Sequence, residues 1–163
     1  MASYGRHAAM RIKDICSRVV VVAEPGTDLR EAARLMRDHH VGALVIVEGS
    51  DGARRPTGIV TDRDIVVEVV AASGVRPENL TVGDVMSSNL VVAGEDVGVF
   101  EAVDLMQDRG ARRLPVVDGE GHLVGIITLD DVLRMVAGEL TALAIAAQRS
   151  FSREVHERGA IES

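Results

Sequence analysis

An α/β fold built from tandem β-α-β-β-α repeats, packed as a pseudo-two-fold pair with a C-terminal helix, is what this 163-residue sequence predicts. Three observations predict it: the chain repeats itself, each copy carries one amphipathic helix, and each helix leads into two short apolar runs joined by a polar turn. At an offset of 70, Asp14 to Val47 lies over Asp84 to Val117 without a gap, matching Asp14/Asp84, Ser17/Ser87, Glu31-Ala32/Glu101-Ala102 and Leu35-Met36/Leu105-Met106. The offset then becomes 67, because EGSDGARRPT is three residues longer than DGEGHLV, and GIVTDRDIV (58–66) falls over GIITLDDVL (125–133). The length change sits in a polar turn, where insertions are tolerated.

Each copy opens with a β-branched run, Val19 to Val22 and Leu90 to Val92, expected as a strand. Leu29, Ala32, Ala33 and Met36, and again Val99, Ala102, Val103 and Met106, recur at i, i+3, i+4 and i+7, the spacing of one buried helical face. ALVIV then GIVT, and RLPVV then LVGIIT, are separated by Gly-containing polar turns and predict a hairpin in each copy. A second helix is expected from about Asp62 to Ser73, and another from about Leu129 onward. The expected organisation is an N-terminal arm over 1–10, a first repeat over 11–73, a linker over 74–81 (GVRPENLT), a second repeat over 82–137, and a C-terminal helix and tail over 138–163. Either repeat alone buries too little surface to stand by itself, so the two should pack through their sheets.

Composition narrows the function. An apolar content of 47% suits a buried core, and no window approaches the roughly 18 apolar residues of a membrane span. The start MASYGRHAAM lacks the blocks of a signal peptide, which leads to an expectation of a cytoplasmic protein. A net charge of −7 and only three aromatics, Tyr4, Phe100 and Phe151, argue against nucleic acid as a partner. Cys16 is the single cysteine, so it forms no internal disulfide; no Cys or His follows or precedes it at metal-ligand spacing, and it reads as a small apolar residue. His39 and His40 are adjacent, hence on different helical faces, and read as solvated helix-end residues; His7, His122 and His156 are scattered. GEGHLVG joins two strands and is a turn; a phosphate-binding glycine loop runs from strand into helix. No P-loop, nucleophile with a base, or paired-carboxylate cleft is present, so a catalytic role has no motif in its favour.

Each copy ends in Thr-x-x-Asp, at Thr61 and Asp64 and at Thr128 and Asp131. Two readings stand side by side. One is a helix N-terminal capping box, worth about 1 kcal/mol. The other is a ligand site at a strand's C-terminal end, where α/β folds bind ligands: a carboxylate accepts both hydroxyls of a ribose diol while helix N-terminal amides favour phosphate.

The doubled pattern, with GIVTDRDI and GIITLDDV closing the copies and ARRLPVVD on the second copy's middle strand, resembles the cystathionine-β-synthase (CBS) domain pair, often called a Bateman module, over roughly residues 11–137. The resemblance is to the small stand-alone bacterial type. It implies a non-catalytic regulatory sensor that binds AMP, ADP, ATP, NAD or S-adenosylmethionine in clefts between the repeats, with no required cofactor. Asp64 and Asp131 match the family's ribose-binding aspartates, and Thr61 and Thr128 its Thr or Ser near ribose or phosphate. Arg63 in the first copy, and Arg112 and Arg113 at the start of the second copy's middle strand, are the implied phosphate contacts; solvated side chains are the ordinary alternative. The corresponding start in the first copy, Val41-Gly42-Ala43-Leu44, is uncharged, so the clefts are not equivalent. Ser17, Val19, Met86, Leu90 and Ala111 are the implied wall for the base, with Gly42, Ala43 and Pro115 also at nucleotide-binding positions.

From Gly138 to Glu157, Leu140, Leu143, Ala144, Ala147, Phe151 and Val155 recur at helical steps. CBS modules commonly associate as disc-like homodimers, and this face, with the helix-like start over Arg11 to Ile15, is expected to contribute to such a dimer. The competing expectation is a constitutive dimeric scaffold with degenerate clefts. The identity of the adenosine ligand, the number of occupied clefts and the downstream protein are not encoded in any motif here.

Overall fold

Two three-stranded sheets carry the duplication into three dimensions. The structure is a computed structural model that describes residues 10–159 apart from 51, 73 and 75, with the backbone alone over 150–159. The first sheet has the order β1 (Val22–Ala23), β2 (Ala43–Glu48), β3 (Arg55–Thr61), and the second β4 (Ala93–Gly94), β5 (Arg113–Val117), β6 (Leu123–Thr128). In both, the first pair is parallel and the second is an antiparallel hairpin. Each hairpin shifts register at the matched place, between Ile46 and Val47 and between Val116 and Val117. The expected hairpins are present.

The parallel pairs require crossovers, and helices α1 (Leu29–Asp38) and α4 (Val99–Arg109) provide them. Their buried faces are Leu29, Ala32 and Met36, and Val99, Ala102 and Met106. Ala33, expected on the buried face, is exposed, and half-buried Leu35 flanks the buried face on the opposite side. Asp28 caps α1 by accepting from the backbone N–H groups of Arg30 and Glu31 at 2.7 and 3.3 Å. After α1 the chain turns at His40, with φ 54°; after α4 the matched residue is Gly110, with φ 61°. Only glycine adopts that left-handed conformation freely, so His40 carries a local cost its counterpart lacks. His39 and His40 are both exposed.

The β-branched runs form less strand than expected. Pairing begins at Val22 and Ala93, because just upstream each chain segment serves the other sheet. The backbone of Ser17 exchanges two hydrogen bonds with Ile126 of β6, both 2.9 Å. At the matched place Ser87 pairs with Ile59 of β3, at 2.9 and 3.3 Å. Each copy thus lends an edge strand to its neighbour, and the residues between the two pairings cross from one sheet to the other. Val82, ahead of Ser87, is fully buried in the first copy's core with Leu29, Leu44, Ile46 and Val60. Its counterpart Ile12 is also fully buried, its backbone N–H donating to the Val97 carbonyl at 2.9 Å.

This exchange explains the glycine of each closing phrase. A Cβ on Gly125 would lie 2.8 Å from the Ser17 carbonyl oxygen and 3.0 Å from the Cys16 sulfur. One on Gly58 would overlap the Met86 sulfur and lie 3.2 Å from the Ser87 carbonyl oxygen. A side chain at Gly125 pushes the lent strand away, and one at Gly58 must first displace the Met86 side chain.

The second helix of the first copy departs from expectation. It begins as one α-turn, α2 (Asp62–Asp64), and widens to a π-helix over Ile65–Val70, where the N–H of Ala71 donates to the carbonyl of Val66 at 2.9 Å. Four β-branched valines and an isoleucine in six residues crowd the i+3 and i+4 positions of a regular α-helix, which disfavours it. The expected helix end at Ser73 lies outside the described residues. The linker holds a 3-10 turn at Pro77–Asn79, followed by α3 (Val82–Val85).

The chain divides between Thr128 and Leu129 into two units. The second is α5 (Leu129–Gly159), a single helix of 31 residues. The two helices expected there are continuous through Gly138, since Ala, Leu, Glu and Arg surround it and one glycine costs only about 1 kcal/mol. Leu140, Leu143, Ala144 and Ala147 of the expected apolar face are exposed, and the side chains of Phe151 and Val155 lie outside the described residues. Among the described residues no helix is long and apolar enough to cross a membrane.

Candidate functional site

At the end of β3, Thr61 leaves the sheet in an extended conformation, and the next three residues form the turn α2. The Asp64 carboxylate folds back so that Oδ2 accepts from the Thr61 backbone N–H at 2.8 Å and from its hydroxyl at 2.7 Å. The Thr61 hydroxyl in turn accepts from the Asp64 backbone N–H at 3.1 Å. This is a complete capping box. It uses one carboxylate oxygen of Asp64 and leaves Oδ1 without a partner among the described residues.

Asp64 also forms part of the wall of a cavity of about 420 Å³, together with Glu68, Leu80, Asp84, Val85, Met86 and Ser87. Five stretches build it: the turn at Asp64, the π-helix, the linker's end, α3 and the strand lent by the second copy. The cavity falls in the size range of small-molecule sites. Its chemistry is two-sided, with Leu80, Val85 and Met86 half-buried and apolar against the carboxylates of Asp64, Glu68 and Asp84. Asp84 repeats the arrangement of Asp64: its Oδ2 accepts from the Thr81 backbone N–H at 2.8 Å and from the Thr81 hydroxyl at 2.9 Å. Those two bonds, the backbone one foremost, hold the Asp84 carboxyl below the usual carboxylate range.

Of the residues expected at the site, Asp64 and Met86 meet in this cavity, with Thr61 bonded to Asp64. Arg63 points elsewhere: it is exposed and absent from the cavity wall. Gly42 and Ala43 sit where β2 starts, and the Asp62 carboxylate lies 3.4 Å from where a Gly42 Cβ would be. Ser17 pairs with β6, and Val19 is 84% exposed. In the second copy, Ala111 and Leu90 are half-buried, Arg112 is exposed, Arg113 pairs with Thr128 across the hairpin, and Pro115 is buried in β5. Thr128 is the last residue of β6. Asp131 falls in the first turn of α5, where it pairs with Arg134, one turn on.

Glu68, Leu80, Asp84, Val85 and Ser87 were not anticipated. For Asp84 a signal existed: TVGD at 81–84 is a third Thr-x-x-Asp, outside the closing phrases. It also shows that the capping geometry recurs away from a closing phrase, so the cap by itself does not mark a site. Glu68 lies on the π-helix, which no motif announces.

A second cavity, of about 280 Å³, is lined by Arg18, Val20, Val22 and Arg54 with Asp118, His122, Leu123 and Val124 of the second hairpin. The even-numbered residues of the crossing segment face it, whereas the site residues expected on that segment, Ser17 and Val19, are odd. Asp118 is held below the usual carboxylate range, first by the backbone N–H of His122 and also by that of Glu120, each donating to Oδ1 at 2.9 Å.

Comparison with known proteins bears on what such a site is for. The family model of the CBS domain matches residues 12–71 and again 82–138. A protein of Methanopyrus kandleri is 38% identical over 147 residues, 90% of this chain and 72% of its own length. Hypoxic response protein 1 of Mycobacterium tuberculosis is 34% identical over 122 residues, 75% of this chain and 82% of its own. Its crystal structure with two coordinated zinc ions superposes with a TM-score of 0.66 at 32% identity, over 77% of this chain and 98% of that one. Among the described residues here, no three His, Cys, Asp or Glu side chains stand close enough together to hold a metal ion. The CBS domain pair of protein MJ0100, in complex with 5′-methylthioadenosine and S-adenosyl-L-methionine, superposes with a TM-score of 0.69 at 28% identity, over 80% of this chain and 98% of that one.

Proposed function

The chain belongs to the CBS domain family, as a pair of such domains, and from that premise we propose that it is a non-catalytic sensor of adenosine-containing ligands. The observation that carries the reading is the cavity beside Asp64: a carboxylate with one oxygen left over from its capping box lines a space of about 420 Å³ whose wall is partly apolar. Asp64 has the right chemistry for the hydroxyls of a ribose, and Leu80, Val85 and Met86 for the faces of a base. The ligand-bound MJ0100 pair, of the same fold, supports the assignment. In the second copy Thr128 and Asp131 carry the same residue types, with Arg112 and Arg113 as candidates for a phosphate.

Because the lent strand bearing Met86 and Ser87 lines the cavity, a ligand there touches both copies at once. Binding that favours one arrangement of the copies over another converts ligand concentration into conformation, to the extent of its differential affinity. The receiver of that signal is proposed to be reached through a homodimer. Val66, Val67 and Val70 on the π-helix and Phe100 on α4 are 49–70% exposed, as are Leu140 and Leu143 on α5 at 61% and 65%. Apolar side chains in such number on one chain favour a second copy as cover.

A second reading has its own observation. The Thr61–Asp64 box is matched by Thr81–Asp84, so both are satisfied as caps without any ligand, as in a constitutive scaffold. Thermal unfolding of refolded, ligand-stripped protein against AMP, ADP, ATP, NAD and S-adenosylmethionine separates the two. A ligand at 100 times its Kd adds about 2.7 kcal/mol, a rise of several degrees for a chain of this size. The sensor reading expects such a rise for at least one compound and its loss in Asp64→Ala or Asp131→Ala. Unchanged unfolding throughout the panel favours the scaffold.

A further inference from the structure

The lining of the cavity beside Asp64 bears on the charge of its occupant. Three acidic residues, Asp64, Glu68 and Asp84, line it, and no Lys, Arg or His is among the described residues that form its wall. The nearest basic residue in sequence, Arg63, is exposed, and its backbone N–H is engaged by Asp62 at 2.8 Å. The hydroxyl of Thr81, which could otherwise donate to an anion, is committed to Asp84, and that of Thr61 to Asp64. A phosphate in this space meets negative charge on several sides and no side-chain counter-charge from the wall.

We infer that the first copy's cavity selects adenosine compounds whose 5′ substituent is uncharged or cationic, such as a thioether or a sulfonium, and discriminates against 5′-phosphates. The inference rests on the nucleoside reading of the site given above and decides only among its ligands. The physical ground is like-charge juxtaposition. A cavity of about 420 Å³ is roughly 9 Å across, comparable with the screening length at physiological salt, so each carboxylate acts on a charge anywhere inside it. A sulfonium gains from the same field that repels a phosphate, and a neutral thioether is indifferent to it. Such discrimination works by repelling the wrong ligand as much as by holding the right one.

The sequence contains the same asymmetry. Glu68 lies over Met135 in the second copy, and the uncharged start Val41-Gly42-Ala43 lies over Ala111-Arg112-Arg113. At these two places the first copy has a carboxylate where the second has none, and the second has guanidinium groups where the first has none.

The test is calorimetric titration of the refolded full chain, in an Asp131→Ala background, with 5′-methylthioadenosine and with AMP, which differ only at the 5′ position. The same titrations follow in Glu68→Gln/Asp84→Asn, where Asn still caps α3 and circular dichroism checks the fold. The expected result is that 5′-methylthioadenosine binds about tenfold or more tightly than AMP, and that the double variant narrows the gap by raising AMP affinity. AMP binding as tightly as the thioether, and abolished by Asp64→Ala, overturns the inference and leaves the nucleoside reading intact. A preference for the thioether that the double variant does not change also overturns it, because the carboxylates are then not its cause. Binding of neither compound at millimolar concentration removes the nucleoside reading and the inference together.

Discussion

The two copies share a backbone and differ in what they present. Gly58 and Gly125 both make room for a strand lent by the other copy, and Leu44 and Leu114 are both fully buried in their sheets. Around that common frame, the cavity beside Asp64 and Glu68 of the first copy is lined by acidic residues and the first copy carries a π-helix, while the second has Arg112 and Arg113 at the entry to its middle strand and runs into a helix of 31 residues. Packing constraints are geometric and apply equally to both halves; charge on a half-exposed wall is free to vary. A duplicated module can therefore keep one architecture and hold two different ligand chemistries.

The comparison is open to four tests on stability, from the largest expected effect to the smallest. Leu44→Ala and Leu114→Ala each remove a fully buried side chain and are expected to cost about 2–5 kcal/mol in urea unfolding. Costs differing by more than about 2 kcal/mol, well beyond additivity errors, break the equivalence of the two cores. Gly125→Ala and Gly58→Ala sharpen it: each forces the lent strand outward, at about 1–3 kcal/mol. Gly125→Ala is expected to cost more, because its obstruction is the Ser17 backbone whereas Gly58 faces the movable Met86 side chain. A reversed order indicates that the second sheet holds its lent strand more loosely.

His40→Gly copies the second copy's solution at Gly110 into the first. Relief of the left-handed conformation is offset partly by the entropy of an added glycine, leaving a gain of about 0.5 kcal/mol in unfolding free energy, read in urea. The reciprocal Gly110→Ala is expected to cost about 1 kcal/mol.

The smallest effect concerns the third Thr-x-x-Asp. The folded state lowers the Asp84 carboxyl through the Thr81 N–H and hydroxyl. A lowered folded value contributes stability above the unfolded range, near pH 4, which is lost as pH falls through the folded value. Unfolding midpoints of wild type and Asp84→Asn are therefore expected to differ at pH 7 and to converge as pH falls through the lowered folded value. A difference that does not shrink as pH falls shows that Asn disturbs α3 by something other than charge.

Much of this was legible before the fold was known. The offset of 70 then 67 placed Ser17 opposite Ser87 and Gly58 opposite Gly125, and both pairs make matching contacts. Helical spacing located α1 and α4, and the Thr-x-x-Asp phrases located two strand ends followed by helical turns. Other features were hidden. Val19 looked like a strand residue and is 84% exposed, because a β-branched run shows that a segment is extended but not which sheet it joins. Ala33 matched the helical face by spacing and lies outside it. Arg63 matched the motif and is absent from the cavity wall.

What the sequence alone determined is local and periodic: the repeat, the helices, the hairpins and the caps, each written in residues a few positions apart. Tertiary structure alone decided which copy's strand completes which sheet, and hence that Met86, Ser87 and Asp84 of the second copy's lead-in share a cavity with Asp64 and Glu68 of the first. The physical reason is that the lent strands are held by backbone hydrogen bonds. These are the same for every residue type and leave no mark in the sequence beyond the two glycines they require.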